Sequence, residues 1–247
     1  MFPIRDHNPS GRKPYVTYGL LITNVVVFLS YVAIMNDVRA LNAFWQAWAF
    51  TPSRLSEFEG YRTLVTYMFL HGGWLHLAGN MLFLWIFGDN IEDVLGHGKF
   101  LAFYFACGVI AALSQYSLQT SSDIPIVGAS GAVAGIMGGY FLLFPKAKVD
   151  ILIILIVFFR VLPMPAWIVL AVWIGMQFVG GLLADPDEAG VAYWAHAGGF
   201  IAGILLIIPV WISRGGTGFW NKTHGHPPHP EASYRYSLSR IPKVSRK

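Results

Sequence analysis

An all-α membrane protein, built as a six-transmembrane-helix bundle, is the fold class this sequence predicts. Three observations predict it. Of 247 residues, 55% are hydrophobic and only 12% are charged. Globular domains carry about 25% charged residues, so a water-facing surface is hard to assemble from this supply. Long apolar runs recur from one end to the other, six of them near the ~20 residues that cross a bilayer as a helix. The basic residues flank those runs and lie mostly on one side of them.

The six expected spans are Tyr15–Met35, Trp74–Leu95, Lys99–Gln119, Ala129–Phe144, Ala166–Leu183 and Trp194–Ile212. The fourth is the shortest. The first follows a polar start, "MFPIRDHNPSGRKP", and no small-residue cleavage site comes after it, so it reads as a spanning helix rather than a removed signal peptide. A further apolar run, "VDILIILIVFFRVLPMP", is interrupted by Asp150, Arg160, Pro163 and Pro165. It is too short between breaks to span, and residues 150–162 are expected to form an interfacial or re-entrant segment before helix five. The first outer loop, Asn36 to Gly73, is long. It mixes Phe44, Trp45, Trp48, Phe50, Leu55 and Phe58 with charge, a composition suited to short amphipathic helices in the interface.

The charges test the count of spans. With six, Arg5, Arg12, Lys13, Lys99, Lys146, Lys148 and Arg160 share one side with the tail residues Arg214, Lys222, Arg235, Arg240, Lys243, Arg246 and Lys247. Only Arg39, Arg54 and Arg62 fall on the other. Cytoplasmic loops carry the excess of Lys and Arg, so both termini are expected in the cytoplasm, with loops 36–73, 120–128 and 184–193 outside. That arrangement fits a multi-pass protein of a bacterial cytoplasmic membrane. It also accounts for the net charge of +4 without a nucleic-acid partner.

The chain then divides into a cytoplasmic N-terminal segment (1–14), a membrane domain (15–212) and a basic tail (213–247). The tail is rich in Gly, Pro, Ser and His and is expected to be disordered or loosely membrane-associated. Its histidines, His224, His226 and His229, read as part of that polar tail rather than as a metal site. The single cysteine, Cys107, lies in an apolar run and supports neither a disulfide nor a cysteine-based metal site.

Polar groups inside spans are costly and need a reason. The start of span two reads "HGGWLHLAGNMLFLW", with His71, His76 and Asn80. His76 and Asn80 are four apart and share one helix face. Span four begins "GASGAVAG" with Ser130. Span six begins "YWAHAGGFIAGI" with His196. All three spans enter from the outer side, so these residues lie at similar depth near the outer surface, and a bundle can gather them in one pocket. Gly131, Gly135 and Gly139 in span four, and Gly199 and Gly203 in span six, repeat every four residues, a spacing that lets helix backbones approach closely. Such an approach brings Ser130 within reach of His196. A histidine beside a serine hydroxyl can take its proton as general base and later protonate the leaving amine. The Ser130 backbone N–H and the side chains of His76 and Asn80 are candidate donors to the resulting oxyanion. No carboxylate lies at that depth, which favours a dyad over a triad. Taken singly, Ser130 among small residues reads as helix packing, and each histidine as an interfacial residue; the joint pattern carries the catalytic reading. A zinc site from His71, His76 and His196 is disfavoured, because His71 and His76 are five apart and lack one-face pairing. No metal and no cofactor are expected.

These motifs resemble those of the rhomboid intramembrane serine proteases. "GASG" is similar to the family's GxSG, "AHAGGFIAG" to its AHxxGxxxG, and "HLAGN" to its HxxxN, in the same order on spans two, four and six. The resemblance covers about Tyr15 to Ile212. It implies Ser130 as nucleophile, His196 as general base, and His76 and Asn80 with the Ser130 N–H as the oxyanion hole. It implies that His71 lines a water-retaining region and that Glu92 holds the inner end of the bundle by hydrogen bonds. It implies transmembrane proteins as substrates, cut near the outer surface, the lipid bilayer as the medium, and approach past span five, where Trp167, Trp173, Met176 and Phe178 read as lipid-facing or packing residues. Two positions depart from the pattern. Tyr61-Arg62 stands where many members carry Trp-Arg. Ala134 stands where some carry an aromatic that stacks on the catalytic histidine, which leaves open what orients His196. A catalytically inactive family member that binds membrane clients is the alternative reading; a small transporter is a third, weakened by the scarcity of acidic residues within the spans.

Overall fold

The computed structural model describes residues 2–155, 158–185 and 190–234. Ten helices occur among them: α1 (Tyr15–Tyr31), α2 (Val38–Trp48), α3 (Pro52–Ser56), α4 (Thr63–Thr66), α5 (Trp74–Leu95), α6 (His97–Leu118), α7 (Ser130–Leu143), α8 (Ala166–Leu183), α9 (Tyr193–Ser213) and α10 (Thr217–Thr223). Four are long and apolar enough to cross a membrane: α1 with its following turn (Tyr15–Ile34), α6, α8 and α9. The other two expected spans are also helical. α5 has 22 residues, but its last turns carry Asp89, Glu92 and Asp93. α7 has only 14 and forms the centre of the core, with eleven of its residues from Gly131 to Leu143 buried.

The helices are held end to end by polar groups that meet specific partners. Pro14 and Tyr15 start α1 without a side-chain cap of its own. The buried Glu92 carboxylate of α5 supplies it, accepting from Val16 N (2.9 Å), Thr17 N (2.7 Å) and Thr17 Oγ1 (2.7 Å). These are the N–H groups that a helix N-terminus leaves without internal partners, at the end where the dipole favours an anion. His97 Nδ1 lies 2.6 Å from the same carboxylate, which joins the start of α6 to the cluster. At the opposite end, the Tyr31 hydroxyl donates to the His71 carbonyl and accepts from its N–H, pinning α1 to the segment before α5.

The expectation of an all-α fold is corrected in the segment before helix five. Lys148–Leu155 (β2) and Phe158–Pro165 (β3) form an antiparallel hairpin with Lys148 opposite Pro165. The N-terminal Phe2–Asp6 (β1) pairs with the free edge of β2, giving the order β1-β2-β3. The chemistry fits strands. β2 holds Val149, Ile151, Ile153 and Ile154, β-branched residues that favour the pleated surface. Pro3, Pro163 and Pro165 lie only in the edge strands, where a missing N–H costs no central ladder bond. The sheet is sewn by charge. Asp150 accepts from Arg5 Nε at 2.7 Å and meets His7 Nε2 at 2.9 Å. Burial alone would raise the Asp150 carboxyl, but those partners hold it below the usual range.

The tail expectation is corrected as well for residues 213–234. α10 docks through Trp220 Nε1 on the Leu142 carbonyl (3.0 Å), and Ala232 N donates to the His7 carbonyl (3.0 Å). Glu231 pairs with Lys148 at 2.7 Å. Partners on α7, on β2 and just after β1 therefore hold what composition marked as loose. Arg235, Arg240, Lys243, Arg246 and Lys247 lie outside the described residues, as do residues 186–189 of the last outer loop.

Two measurements probe this end of the molecule. Glu92→Ala leaves three donors of α1 unsatisfied in a buried place, and is expected to lower unfolding stability in detergent by about 3 kcal/mol, read as a lower thermal midpoint. The second concerns Asp6, whose carboxyl accepts from Tyr140 Oη at 2.7 Å. Burial, and next the Asp89 charge, push it up to about 8. A raised carboxyl favours its neutral form in the fold, so its stabilisation is present at low pH and is lost as pH rises toward that value. Between about pH 5 and pH 8 the wild-type midpoint should fall more steeply than that of Asp6→Asn, which keeps an acceptor for Tyr140 without the charge.

Candidate active site

The site is set by how closely α7 and α9 approach. Their glycines interlock. A Cβ on Gly199 would overlap the Gly131 carbonyl, and one on Gly203 would overlap the Gly135 carbonyl. The third close point is Gly138 against the Phe200 carbonyl. Gly139 instead leaves a Cβ in ordinary contact, 3.4 Å from Phe103 and 3.9 Å from the Gly203 carbonyl. The four-residue repeat of Gly131, Gly135 and Gly139 itself faces α6, where their Cβ atoms would meet Ala111, Cys107 and Phe103 in turn, while α9 is met by the Gly131 and Gly135 carbonyls and by Gly138.

That approach places the first turn of α7 beside the first turns of α9. Ser130 Oγ lies 2.7 Å from His196 Nε2. The other ring nitrogen, Nδ1, lies 2.8 Å from Gln177 Oε1 on α8. The Trp173 ring, also on α8, sits with its centroid 5.8 Å from that of His196, tilted by 33°. Gln177 and Trp173 thus occupy the surroundings that an aromatic at position 134 would otherwise share; Ala134 itself is fully buried. Neither contact was read from the sequence, although Gln177 is the single polar residue of α8 and was visible as such.

Ser130, His196, His76 and Asn80 all line one cavity of about 1050 Å³. The Gly72 N–H points to His76 Nδ1 at 3.3 Å, which leaves Nε2–H to face the cavity. His76 Nε2 crowds Gly128, where a Cβ would lie 2.8 Å away; Gly128 also has φ +133°, a backbone state that glycine tolerates. Asn80 Nδ2 is buried with no hydrogen-bond partner among the described residues. His71 is placed differently from the expectation. It is fully buried behind His76, ring centroids 5.2 Å apart, and is not among the cavity-lining residues.

The walls come from loops pinned to each other. Phe50 and Ile126 exchange backbone hydrogen bonds of 3.1 and 2.7 Å, and Gly128 N donates to the Tyr67 carbonyl at 2.9 Å. The first outer loop thereby braces the segment that leads into Ser130. Arg62 reaches the Ala47 carbonyl (3.1 Å) and lies 5.1 Å from the Trp48 ring. So an Arg–Trp contact exists in this loop with the tryptophan drawn from a different place in the sequence. At the cavity three helix N-termini, of α5, α7 and α9, point their positive dipole ends the same way, an electrostatic setting that favours an anion.

Comparison with known proteins returns one family. The model described as Rhomboid domain matches residues 58–213. Rhomboid protein 1, mitochondrial, of Saccharomyces cerevisiae is 30% identical over 203 residues, 77% of this chain and 51% of the yeast protein. Rhomboid protease GluP of Bacillus subtilis is 27% identical over 207 residues, 83% of this chain and 36% of GluP. The chain thus spans about half or less of the length of these relatives.

The packing account separates two glycines of one helix bundle. Gly203→Ala drives a methyl into the α7 backbone and is expected to cost about 1–3 kcal/mol of stability. Gly139→Ala meets only ordinary contacts and should leave the thermal midpoint in detergent nearly unchanged. Equal effects of the two would reject the interlock.

Proposed function

We propose that this chain, which belongs to the rhomboid family, is an intramembrane serine endopeptidase cutting other membrane proteins in or beside their transmembrane segments. The observation that carries this reading is the 2.7 Å hydrogen bond from Ser130 Oγ to His196 Nε2 in a cavity that also presents His76 and Asn80. Serine is a weak nucleophile until a base takes its proton as the bond to carbon forms. His196 is that base. It then gives the proton to the leaving amine, and an acyl-enzyme remains on Ser130 for water to hydrolyse. The oxyanion of each tetrahedral intermediate takes its donors from the Ser130 N–H, Asn80 Nδ2 and His76 Nε2–H. All three belong to residues that line the cavity, and donors fixed in advance act on the transition state without reorganisation.

The six long helices, α1 and α5 to α9, cross the bilayer in this reading, with the basic termini in the cytoplasm. α7 then sets the depth of the chemistry. Fourteen residues rise about 21 Å, short of a hydrocarbon core of about 30 Å. Ser130, at the outer end of α7, therefore lies below the membrane surface, and the cavity above it admits water. Substrates must unwind locally to present a carbonyl, so segments with small or helix-breaking residues near the cut are preferred.

The test is cleavage of a model transmembrane substrate in liposomes. Wild type cuts it, and Ser130→Ala and His196→Ala each lose at least about 10³-fold in rate. His76→Ala and Asn80→Ala lower kcat by about 10²- to 10³-fold with little change in KM, since they act on charge present only in the transition state. Cutting by both dyad variants at the wild-type rate would reject the dyad. A folded wild type that cuts no substrate would favour a client-binding role.

A further inference from the structure

We infer that Gln177 is the positioning residue for His196, fixing its tautomer and ring orientation from α8. The inference rests on the serine-protease reading above and extends it. α8 has 18 residues, of which only Ala166, Leu170 and Gln177 are buried. The rest of its length is apolar, and Trp167, Val172, Met176, Phe178, Val179, Leu182 and Leu183 are exposed. A lone polar side chain on such a helix is costly when it faces lipid. Here it turns inward and finds two partners.

Those partners determine its direction. Gln177 Nε2 donates to the Trp173 carbonyl one turn back, at 3.2 Å. That bond uses the amide's donor end and leaves Oε1 to face His196 Nδ1 at 2.8 Å. Oε1 can only accept, so Nδ1 must carry the hydrogen. In the neutral ring Nε2 is then the bare nitrogen, the one that can accept from Ser130 Oγ. The same bond stabilises the imidazolium that forms when Ser130 attacks. Trp173, tilted over the ring, restricts its swing. His76 is the other imidazole lining this cavity. Its own Nδ1 is engaged by the Gly72 N–H, so it does not compete for the Gln177 amide.

The consequence is a link between α8 and the chemistry. The Ser130–His196 separation is set by the backbone contact of α7 and α9, but the ring's tautomer is set from a helix with few buried side chains. Displacement of α8 would leave the nucleophile in place and release its base.

The test compares Gln177→Met, similar in length but without an acceptor, with Gln177→Glu, which restores one. Acylation of Ser130 by a fluorophosphonate probe and cleavage of the model substrate are followed against pH, alongside thermal midpoints. Gln177→Met should lower both the acylation rate and kcat by about 10- to 100-fold, with KM within about twofold and an unchanged midpoint. Gln177→Glu should recover most of that rate and move the acidic limb of its pH profile upward, because a carboxylate favours the imidazolium. Wild-type kcat and pH profile in Gln177→Met overturn the inference. Equal losses in both variants with a lowered midpoint also overturn it, as a packing role alone. A wild type that neither labels nor cuts rejects the protease reading itself, and this inference with it.

Discussion

The closeness of two helix backbones governs this structure. α7 and α9 meet where neither carries a side chain, at Gly131, Gly135 and Gly138 on one and Gly199 and Gly203 on the other. In a membrane, helix association gains little from the hydrophobic effect, because lipid is as apolar as leucine. Contact must come from fit, and fit is tightest where a carbonyl lies in the space a Cβ would fill. The same geometry decides the chemistry. Ser130 and His196 are the residues immediately N-terminal to, or within one turn of, the first interlocked pair, and the interlock brings them within hydrogen-bond distance. One methyl on Gly199 would overlap the Gly131 carbonyl and force the helices apart at the turn that holds the hydrogen bond.

Polar groups then account for how the remaining helices are attached. Three buried polar side chains make such attachments at or beside helix ends. Glu92 satisfies the free N–H groups of α1. Tyr31 satisfies both backbone groups of His71. Gln115 of α6 accepts from the Ala195 N–H in the first turn of α9, at 3.0 Å. These bonds do what apolar packing cannot do in lipid, which is to choose one register along the helix axis. The three-stranded sheet has a related role at the basic end. It closes α7 and α8 with an ion-paired cap in which the N-terminus and residues up to Tyr234 both take part.

Much of this was legible in the sequence, and the reasons are specific. The four helices long and apolar enough to cross a membrane, with α5 and α7, follow from the apolar runs, and the gathering of Ser130, His196, His76 and Asn80 round one cavity follows from polar groups that such runs do not tolerate without cause. The sheet was not legible. Its strands are apolar on successive residues, as in "DILIIL", so the period of two that marks a half-buried strand is missing. Only β-branching and the placement of prolines at the two edges carried the signal, and both are weak beside hydropathy. The step from Gly139 to Gly138 was hidden for a different reason. The repeat Gly131, Gly135 and Gly139 marks the face toward α6, and Gly138, which meets Phe200 of α9, stands outside any repeat of four. Partners of the tail were hidden because composition reports what a segment can do alone, not what Lys148, His7 and Leu142 offer it.

Gln177 shows the limit most sharply. A single glutamine in an apolar helix has no pattern around it, and its meaning depends on which way the helix is rotated. The rotation is set by burial of Ala166 and Leu170 against the sheet end and by α9 along one side. Those contacts are long-range and absent from local sequence. Once they are fixed, the lone polar side chain can face only His196. The site is therefore held in two distinct ways. Ser130 and His196 are brought together by backbone contact, which is stiff. The second nitrogen of His196 is met by one side-chain hydrogen bond from α8, a helix whose side chains are mostly exposed. On the proposed protease reading, a substrate helix approaching past α8 would press on the second support before the first, so the two supports of the Ser130–His196 pair would differ in their exposure to it.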